Sequence, residues 1–501
     1  MQDKLNQLKK LIGRAVDMER AASVLEWDQE TYMPPGGGEA RADQIATLRS
    51  AFHEIFASDE AGRLLDELEK EAAGLDYDSD EASLIRVLRR EHERRVRVPL
   101  ELAEELARTA SLAQQVWQKA RANNDFKSFE PLLAKTVELK HRWAECFKPY
   151  ENIYDPLLDY YEPGITYRQI DAVFSALKPP LVKLVKDITA RLDVVDDTLL
   201  SQPFGAEGQM AFGREVITAL GYDFERGRID FSAHPFTIHF GRDDVRITTR
   251  IVEGIGSSAL MSTVHEAGHA MYEQGTSPTL YRTWLDQGAS MSVHESQSRF
   301  YENIIGRSRP FWRYWYPRLQ AIFPNQLGQV DMETFYRALN RVQPSLIRVE
   351  ADEVTYGLHV ILRFELENDL MNGRVSVSDL PKEWNARMEA YLGVVPPNDA
   401  QGVLQDVHWS VGYIGYFPDY LLGSIFSVQL WEQMLKERPS VPAEIEAGQY
   451  GAILDWLREK IHRHGMKFTL PELSERITGG PLRWEPYMNY LQTKYGEIYG
   501  L

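Results

Sequence analysis

Two histidines four residues apart with a glutamate beside the first are the residues of this chain best suited to chemistry. They form His265-Glu266-Ala267-Gly268-His269, inside a run from Ser257 to Gln274 whose pattern predicts a helix. Residues four apart share one helix face, so both imidazoles can reach one metal ion. Glu266 then stands beside that metal as a base for its water, the working core of a zinc peptidase. With 12 His and 74 Asp+Glu in 501 residues, about 0.04 accidental matches are expected. Leu260, Met261, Val264, Ala267, Ala270 and Met271 make the run apolar on most sides. A buried helix carrying two His and a Glu needs partners for them, because unpaired buried charge is costly, and a metal is such a partner.

A catalytic zinc needs a third protein ligand and an open position. A third His six residues after the second, preceded by a Gly at the third, is excluded because Tyr272 and Gly275 stand there. A carboxylate from a following helix remains. Gly275, Pro278 and Gly288 break the chain, and a second helical pattern runs from near Ser290 to about Ile305. It offers Glu295 and Glu302, seven apart on one face. Glu295 sits among small residues that permit a close helix approach, which favours it while leaving Glu302 open.

The elements that position these groups are mostly helical. Residues 1 to about 30 carry Leu5, Leu8, Leu11, Ile12 and Val16 at helical spacing, Met33–Gly38 reads as a turn or loop, and Arg41 to Phe147 is again helical. The stretch from Arg228 to Thr249 differs. Thr237–Phe240 and Val245–Thr248 alternate around Gly241-Arg-Asp-Asp244 and predict a β-hairpin leading into the metal helix. Such a strand can hold an extended peptide through its main chain.

Composition narrows the partners. A net charge of −18 argues against nucleic acid and against an anionic membrane surface. No apolar run approaches the roughly 18–20 residues of a membrane helix. The N-terminus lacks a secretory apolar core, and the single cysteine, Cys146, can form no internal disulfide. The expected setting is cytoplasmic, and 501 residues that are 44% hydrophobic suffice for a large core.

Six ordered segments carry a family resemblance: His234-Pro-Phe236, Asp244-Val-Arg246-Ile-Thr248, His265-Glu-x-x-His269, His294-Glu-Ser-Gln-Ser298, Ile347-Arg348-Val-Glu-Ala351-Asp352 and Gly402-Val-Leu-Gln405-Asp406-Val-His408-Trp409. Together the chain resembles the carboxypeptidase Taq family of metallocarboxypeptidases. The resemblance implies one catalytic unit spanning 1–501, with its motifs in 234–420. It implies a mainly α, two-lobed body with a deep substrate groove, like neurolysin-type peptidases, and a small hairpin or sheet beside the metal helix. It implies one Zn²⁺ per chain (Co²⁺ as a substitute), peptide substrates and a homodimer.

On the same grounds the expected metal ligands are His265, His269 and Glu295, with Glu266 as general base. Developing negative charge on the carbonyl oxygen needs a further donor, and His408 and then Tyr420, in the aromatic run Tyr413, Tyr416, Phe417, Tyr420, are the candidates. A free C-terminal carboxylate is best held by arginine. Arg348 and Arg246 are available, each with an alternative as an ion pair, with Asp352 and Asp244 respectively. His234, Asp244 and Gln405 read as further substrate-side residues. His294, Asp352 and Asp406 read as residues that orient the site. The expected reaction releases single C-terminal residues. The alternatives are an oligopeptidase that cuts internally and a non-catalytic binding protein, and the intact Glu266 argues against the latter.

Overall fold

A computed structural model describes residues 1–251 and 258–501. They are mainly helical with one three-stranded sheet. The chain divides into two compact units. The first comprises residues 1–96, 197–339 and 430–479, and the second 97–196, 340–429 and 480–501. The helices used below are α1 (Gln2–Thr31), α2 (Ser258–Gln274), α3 (Met291–Arg299), α4 (Tyr356–Met371) and α5 (Gly451–Lys460). The helix expected from Ser257 begins at Ser258, Ser257 itself lying outside the described residues.

In the first unit, α1 buries the stripe Leu5, Leu8, Ile12, Ala15 and Val16 against Phe56, Leu65, Leu68 and Leu88. Leu280 and Leu285 complete that cluster. They belong to the segment between α2 and α3, so the core of the N-terminal helices also anchors the link between the two metal-site helices. Each such fully buried side chain contributes roughly 1.5–3 kcal/mol.

The expected hairpin is present as β2 (Thr237–His239) and β3 (Val245–Thr249), antiparallel with Ile238 opposite Arg246. A further strand, β1 (Ile229–Phe231), pairs parallel to β3 and gives the order β1-β3-β2. The alternating pattern marks two strands joined by a turn; β1 lies outside that hairpin and pairs with β3 in parallel, a partnership no turn signal announces.

In the second unit α4 is buried nearly all round, including His359, Arg363 and Glu367. The charged groups on this buried helix must be paired internally. The helix Pro418–Glu437 carries Tyr420 in its first turn.

Candidate active site

Buried α2 presents His265 and His269 from one face, with ring centroids 5.0 Å apart. Its Gly268 lets α3 come close. A Cβ there would lie 2.7 Å from the Gln297 carbonyl oxygen and the Ser298 Cα. Ser292, Ser296 and Ser298 are fully buried in α3, so small residues on both helices set the approach that brings Glu295 in. Glu295 Oε2 lies 3.7 Å from His265 Nε2 and 3.6 Å from His269 Nε2. The three donor atoms lie within 4.8 Å of one another. Bonds of about 2.0–2.2 Å in a tetrahedral site place ligand atoms roughly 3.3–3.5 Å apart. The donor set fits one metal ion with little adjustment.

The outer ring nitrogens are engaged in a way that leaves both Nε2 atoms to face the metal. Glu302 Oε2 accepts from His265 Nδ1 at 2.9 Å. Glu302 is the alternative ligand of the sequence reading, and the structure puts it behind His265 instead. It lies in a π-helical turn, Phe300–Ile305, which shifts its register relative to Glu295. Burial opposes ionisation of Glu302, but Arg299 and His265 hold it well below the usual carboxylate range. Arg299 also donates through Nε to Glu295 Oε1 at 2.6 Å, while Oε2, which accepts from Ser298 Oγ at 3.2 Å, faces the two Nε2 atoms.

His269 Nδ1 lies 3.1 Å from His294 Nδ1, and His294 Nε2 lies 2.6 Å from Glu273 Oε1. A carboxylate only accepts, so His294 donates from Nε2. Its Nδ1 then accepts from His269 Nδ1–H, which leaves His269 Nε2 as a lone pair. Glu273 is fully buried. Burial opposes its ionisation, and His239 and His294 hold it far below its usual range. His239 Nδ1 lies 3.1 Å from Glu273 Oε2, and Arg20 Nη1 reaches His239 Nε2 at 2.6 Å. The chain of contacts thus ends on α1. The sequence reading missed Glu273, although it continues the His265/His269 stripe at the next four-residue step.

Glu266 lies 7% exposed. Burial raises its pKa above the ordinary carboxylate value, with His265 and Thr237 opposing. Thr237 Oγ1, on β2, is 2.6 Å from Glu266 Oε2, so the hairpin orients this glutamate. On β3, Arg246 pairs with Asp244 through Nε at 2.9 Å and Nη2 at 2.8 Å, and its guanidinium lies 4.3 Å from the centre of the Trp27 ring. That is the ion-pair alternative weighed for Arg246. His234 is exposed, and its carbonyl accepts from Ser232 Oγ at 2.6 Å.

In the second unit, Arg348, Gln405, Asp406, His408 and Tyr420 form one cluster. Arg348 is 5% exposed. It donates to Asp406 Oδ1 through Nε at 3.0 Å and Nη2 at 2.8 Å, and to Tyr356 Oη at 3.1 Å. The pair with Asp352 does not form. Asp352 accepts instead from the N–H groups of Gln343, Val354 and Thr355 and from Thr355 Oγ1, capping the approach to α4.

Arg363, absent from the sequence reading, donates to Asp406 Oδ2 at 2.7 Å and to Gln405 Oε1 at 2.8 Å. Gln405 also accepts from the Arg348 N–H at 2.9 Å and donates to the Leu346 and Gln401 carbonyls. Its amide is thus spent on internal bonds that stitch the two arginine segments together.

His408 Nε2 lies 3.2 Å from Tyr420 Oη. Burial lowers the His408 pKa to about 3, so its ring is neutral at physiological pH. The loop between these two residues is held by Glu367. Trp409 Nε1 donates to it at 2.7 Å and the Gly415 N–H at 2.8 Å, and Tyr154 Oη makes a further short bond.

Comparison with known proteins accords with this metal centre. A family model described as carboxypeptidase Taq (M32) metallopeptidase matches residues 7–495. The chain belongs to that family. Among its M32 relatives, thermostable carboxypeptidase 1 of Thermus thermophilus is 40% identical, covering 95% of this chain and 94% of that protein. Carboxypeptidase 1 of Bacillus subtilis is 38% identical, covering 98% and 97%. The crystal structure of the M32 carboxypeptidase from Deinococcus radiodurans R1 superposes with a TM-score of 0.96 at 39% identity, covering 100% of both chains. This M32 protein is a metallocarboxypeptidase, a hydrolase of C-terminal peptide bonds. Among the described residues no helix is long and apolar enough to cross a membrane.

Proposed function

We propose that the chain works with one zinc ion held by His265 Nε2, His269 Nε2 and Glu295 Oε2, cobalt being a competent substitute. The observation that carries this reading is the convergence of these three donors while Glu302 and His294 occupy the outer ring nitrogens. When bound, zinc supplies Lewis-acid activation of water and of the scissile carbonyl. Glu266 takes the proton of the attacking water on Oε1, since Thr237 engages Oε2, and delivers it to the leaving amine. Neutral His408 and Tyr420 donate hydrogen bonds to the carbonyl oxygen as charge develops on it. The outer strand β2 holds the extended substrate through its main chain, with His234 facing solvent nearby in sequence. Stripping the metal with a chelator and restoring it with zinc or cobalt tests the metal assignment. Recovery of activity with neither ion would overturn it.

The substrate carboxylate is assigned to Arg348, aided by Arg246. The support is a charge imbalance: Arg348 and Arg363 share the single carboxylate of Asp406. Both histidines beside them, His359 and His408, have pKa values lowered to about 3 by burial and are neutral. Glu367, pushed up to about 7 by burial, compensates only in part at neutral pH. Uncompensated buried positive charge is unfavourable, and a substrate carboxylate completes the set. C-terminal amidation of a peptide, and Arg348→Ala with free-acid peptides, should each lower kcat/KM about tenfold to a hundredfold. The variant should lose little more on amidated peptides. Internal cleavage indifferent to amidation would sink this assignment.

Glu273 is assigned the task of holding His294 and, through it, His269. Glu273→Gln should weaken zinc binding by the apoenzyme about 10–100-fold, read by titration against a metal buffer. Unchanged affinity would confine Glu273 to a packing role. Both units are read as parts of one catalytic unit, 1–501, in a cytoplasmic homodimer. The single unit and the dimer rest on the family resemblance, and light scattering of the purified protein tests the dimer.

A further inference from the structure

The first unit contains a pocket of about 400 Å³ at the C-terminal end of α2, lined by Arg226, Arg242, Arg458 and Arg463 together with Gln274–Pro278. None of its lining residues is acidic. In a chain of net charge −18, whose overall field repels anions, four arginines set against the three carboxylates paired with them, Asp223, Asp243 and Glu459, leave a local excess of positive charge. We propose that this pocket binds a small molecule through its phosphoryl group.

The donors are only partly spent. Arg226 uses Nε on Asp223 at 2.8 Å and Nη1 on the Gln274 carbonyl at 2.9 Å, with the Arg242 carbonyl 3.5 Å and Asp243 Oδ1 3.6 Å from the same Nη1. Arg242 uses Nη1 on the Thr276 carbonyl at 2.7 Å, and its Nε lies 3.4 Å from Asp243. These two bonds cap the carbonyl end of the metal helix and so cancel the partial negative charge that would oppose an anion there. Each guanidinium carries five N–H donors, and neither Nη2 makes a hydrogen bond with a described residue.

Half-buried Arg458, on α5, makes no hydrogen bond or ion pair with any described residue. Among the described residues Arg463 is tied only to Glu459, at 2.6 Å, with both side chains more than half exposed at 54% and 66%. Such an exposed pair is weak and easily exchanged.

Arginine forks match phosphoryl oxygens bidentately. A phosphoryl group brings about −1.5 to −2 charge and three acceptor oxygens, suiting donors that arrive from several directions. The pocket volume lies near the lower end of small-molecule sites, roughly 300–1,000 Å³, so the occupant is a small molecule. Free phosphate and a phosphorylated metabolite share this chemistry.

Equilibrium dialysis of the metal-loaded, full-length enzyme with radiolabelled inorganic phosphate at constant ionic strength tests the site. We expect saturable binding that Arg458→Ala/Arg463→Ala weakens by about tenfold or more. Arg463→Ala alone, at an exposed position where folding is not at risk, should weaken it at least about threefold. Phosphoserine and adenosine monophosphate should displace the label. Displacement tighter than that by unlabelled phosphate identifies a phosphorylated metabolite as the occupant, and weaker displacement identifies free phosphate. Absence of saturable binding, or binding unchanged in the double variant and in Arg463→Ala, would overturn the site. Displacement by succinate as effective as that by phosphoserine would overturn the phosphoryl assignment.

Discussion

Glu266→Gln is expected to keep its metal and lose turnover. The side chain is assigned to proton transfer and not to coordination, so the three donors that converge within 4.8 Å are untouched. The amide keeps the size of the carboxyl and can still accept from Thr237 Oγ1, which lies 2.6 Å from Oε2. What it lacks is basicity. Burial already raises the pKa of Glu266, which brings its proton affinity closer to that of a base working near neutral pH. The loss in kcat should be about 10²–10⁴-fold, or about 3–5 kcal/mol of barrier. Because the charged form is disfavoured by burial, the variant should melt no earlier than the parent. Metal analysis, a peptide assay and a thermal melt on one preparation check all three statements. Retained turnover would remove Glu266 from the chemistry.

Glu295→Ala is expected to lose the metal, and Glu302 variants to rank behind it. Removing Glu295 leaves two imidazoles and deprives Arg299 of an acceptor at 2.6 Å. The drop in affinity should exceed the roughly 10–100-fold typical of a group that only orients a ligand. Glu302→Ala falls within that range, because it frees His265 Nδ1 without removing a donor from the metal. Glu302→Gln should be milder still, since its amide oxygen can accept from Nδ1–H. Titration of the three apoproteins against buffered zinc gives the order. If Glu302→Ala lost more affinity than Glu295→Ala, the ligand assignment would be reversed.

Much of this site is legible in the amino-acid sequence alone. His265 and His269 share a face because a helix repeats every 3.6 residues, and that relation needs no tertiary contact. Strands β2 and β3 announce themselves by alternation around Gly241. The run from Ser290 to Ile305 is helical as expected, although its last six residues are π-helical. The fold class and the metal-binding character follow from such local signals together with six ordered motifs. Strand β1 escapes because it lies outside the hairpin and pairs in parallel with residues 247–249, a non-adjacent partnership.

Tertiary packing decides the pairings. Glu295 and Glu302 are chemically equivalent and share a sequence face; the close approach at Gly268 and the π turn determine which faces the metal. Arg348 has Asp352 four residues away, yet pairs with Asp406, 58 residues on, because Asp352 is consumed by three backbone N–H groups. Glu273 and Arg363 gain their roles only when distant segments bury them beside charges that need partners, whereas Arg299 meets Glu295 and Glu302 at local helical spacing. A sequence records which groups are present and how a helix or strand repeats them. Which buried charge meets which is fixed by the requirement that every desolvated polar group find a partner, and that requirement is satisfied only in three dimensions.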